Sequence, residues 1–172
     1  ERAKYRTVGI YLGALGFGYN TEELKSRKLP TPACWSDLIR PEFKGEVQMA
    51  DPNSSGTAWT ALATIVQLMG EDAAFAYLKK LHANINEYTK AGSAPAQAAG
   101  LGETVIGIAF QHDVIDVAVR GKPVQVVSPC EGTGFEIGSM SLIAGGKNPD
   151  EARKFYEWAL TAEAQKISAA NR

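Results

Sequence analysis

Two hydrophobic rhythms alternate along the chain. One is short and either continuously apolar or apolar at every second position, as in Glu46-Val-Gln-Met-Ala50 and Thr104-Val-Ile-Gly-Ile-Ala-Phe110. Stretches of this kind read as strands, the second one covered on both faces. The other rhythm repeats every three or four residues. After Ser55 it runs through Ala58, Leu62, Ile65, Val66 and Met69 until Gly70, and then through Ala74, Phe75, Leu78 and Leu81. These predict two consecutive helices. Residues 7–18 predict an extended strand interrupted by glycines, and residues 84–89 and 123–127 predict further strands. Short capped helices are expected near Thr21 and Trp35, and a small Ala-rich one after Gly92, Ser93, Ala94 and Pro95, with proline in its first turn. Helices from Asn148 and from Thr161 close the chain, the first with Ala152, Phe155, Tyr156 and Ala159 on its apolar face.

Strands alternating with helices predict an α/β fold with a mainly parallel sheet and helices on both faces. In such sheets ligands sit beyond the carboxyl ends of the strands. Three polar turns follow predicted strands: Ser54 to Thr57, Gly92 with Ser93, and Gln111-His112-Asp113. The first is rich in small residues. Ser54 or Ser55 can cap the helix, Gly56 leaves the backbone approachable, and the unpaired first-turn amides favour an anion, most simply a phosphate.

Composition narrows the classes of function. The 172 residues suit one domain, and a net charge of −1 without a basic stripe argues against nucleic acid. Cys34 and Cys130 fit either a single disulfide or two inert thiols, and unpaired thiols are the expectation. Trp35, Trp158 and Trp59 read as packing aromatics, although Trp59 follows the anion turn closely enough to flank a ligand. Glu131 reads as a turn residue, and His82 as a solvated residue at the end of a helix. No nucleophile elbow, Walker loop, zinc spacing or dinucleotide fingerprint is present to support an enzyme built on His112 and Asp113. No cofactor is expected.

The pattern resembles the solute-binding proteins of bacterial ABC importers, in their ferric-ion-binding-like branch. The resemblance rests on Asp51-Pro52 with Ser55-Gly56-Thr57, on the strand ending at Phe110, and on Gly121-Lys-Pro-Val124 leading to Pro129 and Glu131-Gly132. It also rests on Lys147 to Phe155 and on Ala162-Glu-Ala-Gln165. It implies a periplasmic-binding-protein type II lobe, with residues 19–140 as the lobe core. Residues 1–18 and 141–172 would be hinge strands and helices shared partly with another lobe, or available for pairing with a second copy. It also implies a periplasmic or lipid-anchored receptor that works with an ABC permease. Iron-binding relatives carry two consecutive tyrosines where this chain has Gln111-His112-Asp113, and ferric ion prefers hard anionic oxygens. Ferric ion is therefore disfavoured. The segment instead resembles the hexose-phosphate-binding members. On that resemblance His112, Asp113 and Glu136 would hold sugar hydroxyls and Ser55, Gly56 and Thr57 the phosphate; Ser54, as a possible cap, and Ser93, from its place at a second helix start, are further candidates. The alternatives are a phosphonate, another organophosphate or, despite the unfavourable donors, ferric ion as ligand, or service as the effector-binding domain of a transcription regulator.

Overall fold

The computed structural model describes residues 7–170; residues 1–6 and 171–172, at the outer ends of the expected hinge segments, lie outside the described residues. The chain divides into two compact units, Ala14–Phe135 and a second one made of Glu1–Gly13 with Glu136–Arg172.

The strand order is β3-β2-β4-β1-β5, formed by Ile85–Thr89, Val47–Ala50, Ile106–Phe110, Thr7–Asn20 and Val124–Val127, and of β1 the residues from Ala14 on belong to the larger unit. β2 pairs in parallel with β3 and β4, whereas β1 pairs antiparallel with β4 and β5. Four strands of this order therefore share one direction, and β1, inserted between β4 and β5, opposes them. The mainly parallel expectation holds for direction. It misses β1, because adjacency in a sheet is not set by order in the chain.

Helices cover both faces, and the alternation within the strands shows why. In β1, Leu15 and Phe17 point to one side and Gly16 and Gly18 to the other. The first side joins Ile106, Ile108, Val47 and Met49 in a core closed by α2 (Gly56–Met69), α3 (Glu71–His82) and the short 3-10 helix Trp35–Ile39. The second side is nearly flat. A Cβ on Gly18 would come within 2.5 Å of Val114, and one on Gly107 would collide with the backbone carbonyl of Pro95. This flatness lets α4 (Ala94–Leu101) and α5 (Gln111–Val119) lie close against the sheet, burying Ala96, Ala99, Ala109, Val114 and Val117. Periodic glycine in the sequence thus becomes close helix–sheet packing.

Three expectations need correction. Cys34 and Cys130 are not free thiols. They are joined in a disulfide with Cα atoms 4.8 Å apart, and their sequence separation gave no hint of this because the fold brings the 3-10 helix against the segment after β5. In α3 the buried face carries Tyr77 while Phe75 is exposed, since the Tyr77 hydroxyl reaches the Trp35 carbonyl at 2.7 Å. Burial, then the charge of Glu131, pushes the Tyr77 hydroxyl well above its usual range. Trp59 is not core but 66% exposed.

In the smaller unit, β6 (Phe135–Ser141) pairs with the first part of β1. Thr7 and Ser141 share a hydroxyl hydrogen bond of 2.7 Å, and Tyr11 donates to Glu136 at 3.2 Å. The Tyr11 ring lies where a side chain on Gly138 would stand. Helices α6 (Pro149–Ala159) and α7 (Ala162–Ala170) follow, and Phe155, Trp158 and Ile143 remain exposed.

Candidate functional site

The parallel ladder fixes where the polar turns go. Ala50 is paired with Thr89, and Val47 and Gln48 with Ile106 and Gly107. The carboxyl ends of β3, β2 and β4 therefore open on one edge, and Lys90, Asp51 and Gln111 are the first residues beyond them.

The turn after β2 is built by Asp51. Its amide donates to the Thr89 carbonyl at 2.8 Å, tying the turn to β3. Its carboxylate takes the Asn53 amide at 2.8 Å and the Asn53 side chain at 3.0 Å. Its carbonyl takes the amides of Ser54 and Ser55 at 3.0 and 2.9 Å. Ser54 donates onward to the Lys90 carbonyl at 3.3 Å. Ser55 has the extended backbone of an N-cap, yet its side chain makes no cap hydrogen bond. The predicted serine cap is thus replaced by an aspartate-centred turn, which leaves the buried Ser55 hydroxyl out of the helix's own capping. The amides of Gly56, Thr57 and Ala58 are in the first turn, where an α-helix offers no internal acceptor.

The turn after β3 meets the same point. A Cβ on Gly92 would collide with the Thr57 hydroxyl and stand 3.1 Å from that of Ser55. Glycine at 92 therefore lets the start of α4 touch the start of α2. Ser93 is the N-cap of α4 and also makes no side-chain cap bond. Ser54, Ser55, Gly56, Thr57 and Ser93 come together in this way, around two helix N-termini whose dipoles favour an anion. Above Gly56 the space is open, with no atom within 4 Å of a Cβ built there.

After β4, His112 and Asp113 occupy the first turn of α5, with Nε2 and Oδ1 3.7 Å apart and both side chains about a third or less exposed. The imidazole lies almost parallel to the Phe110 ring, at 5.5 Å between centroids and 9° between planes. Asp113 at this position also complements the dipole of α5. Glu136 is not in this unit; it lies on β6 in the smaller one, in contact with Tyr11.

Gln111, which the sequence places in a polar turn without a role of its own, and Thr133 both donate to the Leu15 carbonyl, at 2.9 and 2.8 Å. Sequence reasoning passed over Tyr88 beside the turn. Burial, then the negative charge of Asp51, raises the Tyr88 hydroxyl above its usual range. Gln111 was visible in the same string as His112, but the alternation of β1 that aims Leu15 at it was not. Cys34, Cys130 and Glu131 gather within 4.8 Å. The disulfide consumes both sulfurs, so this group does not offer thiolates to a metal.

The whole chain, residues 1–172, matches the family described as bacterial extracellular solute-binding protein. An uncharacterised protein of Haemophilus influenzae is 50% identical over 160 residues, covering 92% of this chain and 46% of that protein. The solved structure of the periplasmic binding protein AfuA from Actinobacillus pleuropneumoniae, with exogenous fructose-6-phosphate bound, is 48% identical at a TM-score of 0.91. That match covers 96% of this chain and 52% of AfuA. The periplasmic binding protein P5PA is 38% identical at a TM-score of 0.89, with 96% and 52% covered. The chain thus spans about half the length of the relatives it matches. No described helix is long and apolar enough to cross a membrane. By the match across its full length, this chain belongs to the bacterial extracellular solute-binding protein family.

Proposed function

We propose that this chain is a ligand-binding lobe of the receptor for a bacterial ABC importer, and that its ligand is a phosphorylated sugar such as a hexose phosphate. The observation that carries this reading is the convergence of the α2 and α4 N-termini, with two N-cap serines whose hydroxyls the helices do not use, on the edge where His112 and Asp113 also emerge. A phosphate needs several N–H and O–H donors in one place. A sugar needs carboxylate acceptors and an imidazole that donates or accepts according to tautomer. The edge supplies the first group at Ser55, Gly56, Thr57 and Ser93, and the second at His112 and Asp113. The likeness to the fructose-6-phosphate-bound AfuA supports the choice of a sugar phosphate over a bare anion.

The receptor works in the periplasm, free or lipid-anchored, and passes its ligand to a permease. The role is binding and not catalysis. Calorimetry with fructose 6-phosphate, fructose and inorganic phosphate tests it. The sugar phosphate is expected to bind most tightly and fructose not at all. His112→Ala is expected to weaken the sugar phosphate about tenfold, the worth of one well-made polar contact, and to leave inorganic phosphate nearly untouched. Equal losses for the two ligands would show that the roles are wrongly assigned.

A further inference from the structure

We infer that Gln111 is a positioning residue that fixes the orientation of the His112 corner by locking the first turn of α5 onto β1. This rests on the sugar-phosphate reading for its consequence and on geometry alone for its mechanism.

Leu15 is fully buried, and its peptide group is a hub. Its amide donates to the Gly134 carbonyl at 3.0 Å. Its carbonyl accepts both the Thr133 hydroxyl at 2.8 Å and Gln111 Nε2 at 2.9 Å, which fills both lone pairs. Gln111 reaches this carbonyl because Gly16 has no side chain: a Cβ there would stand 3.0 Å from Gln111 Cγ and 3.3 Å from Nε2. Leu15 follows directly on the boundary of the larger unit at Ala14, and Thr133 and Gly134 directly precede the other at Phe135. One carbonyl thus joins β1 and the segment before β6 to the residue beside His112.

The consequence is rotational. Gln111, His112 and Asp113 are consecutive in the first turn of α5, which follows Phe110. With Gln111 tethered to β1, the turn cannot roll about its axis, and His112 keeps its face on Phe110. Without the tether the imidazole and carboxylate lose their fixed bearing, although Leu15 still has Thr133 and the fold has no orphaned carbonyl. An amide spent on this tether is also removed from the ligand, so Gln111 serves the site without touching the sugar.

The test is a double-mutant cycle on the protein with Gln111→Met, which keeps the length and removes the donor, and His112→Ala. Calorimetry with fructose 6-phosphate and inorganic phosphate reads it. Gln111→Met is expected to weaken the sugar phosphate about tenfold and inorganic phosphate less than about twofold, and to cost less than about threefold once His112 is already alanine. A full tenfold loss in the His112→Ala background, or an equal loss for both ligands, overturns the inference. A second measurement needs no ligand. In the free protein, Gln111→Met should shift or broaden the His112 ring resonances in proton NMR and leave those of His82 in place. Unchanged His112 signals overturn the inference even if fructose 6-phosphate binds. Absence of any binding by the wild-type protein would instead overturn the sugar-phosphate reading and leave this mechanism to be decided by the NMR.

Discussion

Glu131 shows how much one surface carboxylate can organise. Its oxygens accept the amides of Trp35 at 2.7 Å and Ser36 at 2.9 Å, so it caps the 3-10 helix from a distant part of the chain. Partial burial pushes its pKa up, but the hydrogen bonds from Ser36 and Trp35 outweigh that and hold it below the usual carboxylate range. A depressed folded pKa contributes stability that is present above the unfolded value, about 4.3, and is lost as pH falls through the folded one. Glu131→Gln is therefore expected to cost about 1 kcal/mol at pH 7, modest because the group is solvent-facing. The cost should shrink progressively as pH is lowered below the usual carboxylate range, as read from urea unfolding of both proteins at each pH. A penalty independent of pH would mean that charge is irrelevant to the cap. Trp59 invites the converse expectation. At 66% exposure it shares a helix face with Gly56, next to the open space over the turn after β2. Trp59→Ala should change stability by less than about 0.5 kcal/mol. A fluorescence change on adding fructose 6-phosphate should be seen in the wild type and lost in Trp59→Phe. A signal surviving that substitution would come from another tryptophan and would place the ligand elsewhere.

At the scale of elements, the helix–sheet contacts and the disulfide make separable predictions. Gly107→Ala drives a methyl into the Pro95 carbonyl, and backbone cannot step aside as a side chain can. A loss of about 2–4 kcal/mol is expected in chemical unfolding; a loss under about 1 kcal/mol would mean that α4 is free to lift from the sheet. The Cys34–Cys130 bond closes a separation of 96 residues. Paired Cys34→Ser and Cys130→Ser changes should lower the unfolding temperature by about 5–15 °C, from a typical 2–4 kcal/mol. No change would show that Glu131 and the Trp35 indole, which donates to the Gly132 carbonyl at 3.1 Å, suffice to hold the segment. What was legible in the chain divides along the same line. The parallel strands, the helices after them and the turns of Ser54 to Thr57 and Gln111 to Asp113 follow from local periodicity and small-residue strings. The disulfide, the reversed β1 and the burial of Tyr77 in place of Phe75 depend on which distant element packs where. Local pattern does not carry that information.

For the whole molecule, the decisive quantity is how much of the ligand's surface this chain can reach. In the sugar-phosphate reading the site on the larger unit offers phosphate donors and one imidazole–carboxylate pair, while the chain covers 52% of the length of the fructose-6-phosphate-bound AfuA. Affinity depends on enclosing polar groups so that each finds a partner, and a ligand left half in water gains little from contacts that bulk solvent also offers. If the remaining length of such relatives supplies the other half of the contacts, the 172-residue chain should bind fructose 6-phosphate at least about a hundredfold more weakly than intact AfuA. Each tenfold step is about 1.4 kcal/mol, so two or three lost polar contacts account for this difference. The loss should be selective. Inorganic phosphate, held by the α2 and α4 N-termini alone, should differ between the two proteins by less than about tenfold. Calorimetry of both ligands on both proteins decides the point. Equal affinity for the sugar phosphate would mean that the edge formed by β3, β2 and β4 encloses the ligand by itself. Parallel losses for both ligands would mean that the helix N-termini are not where the phosphate sits.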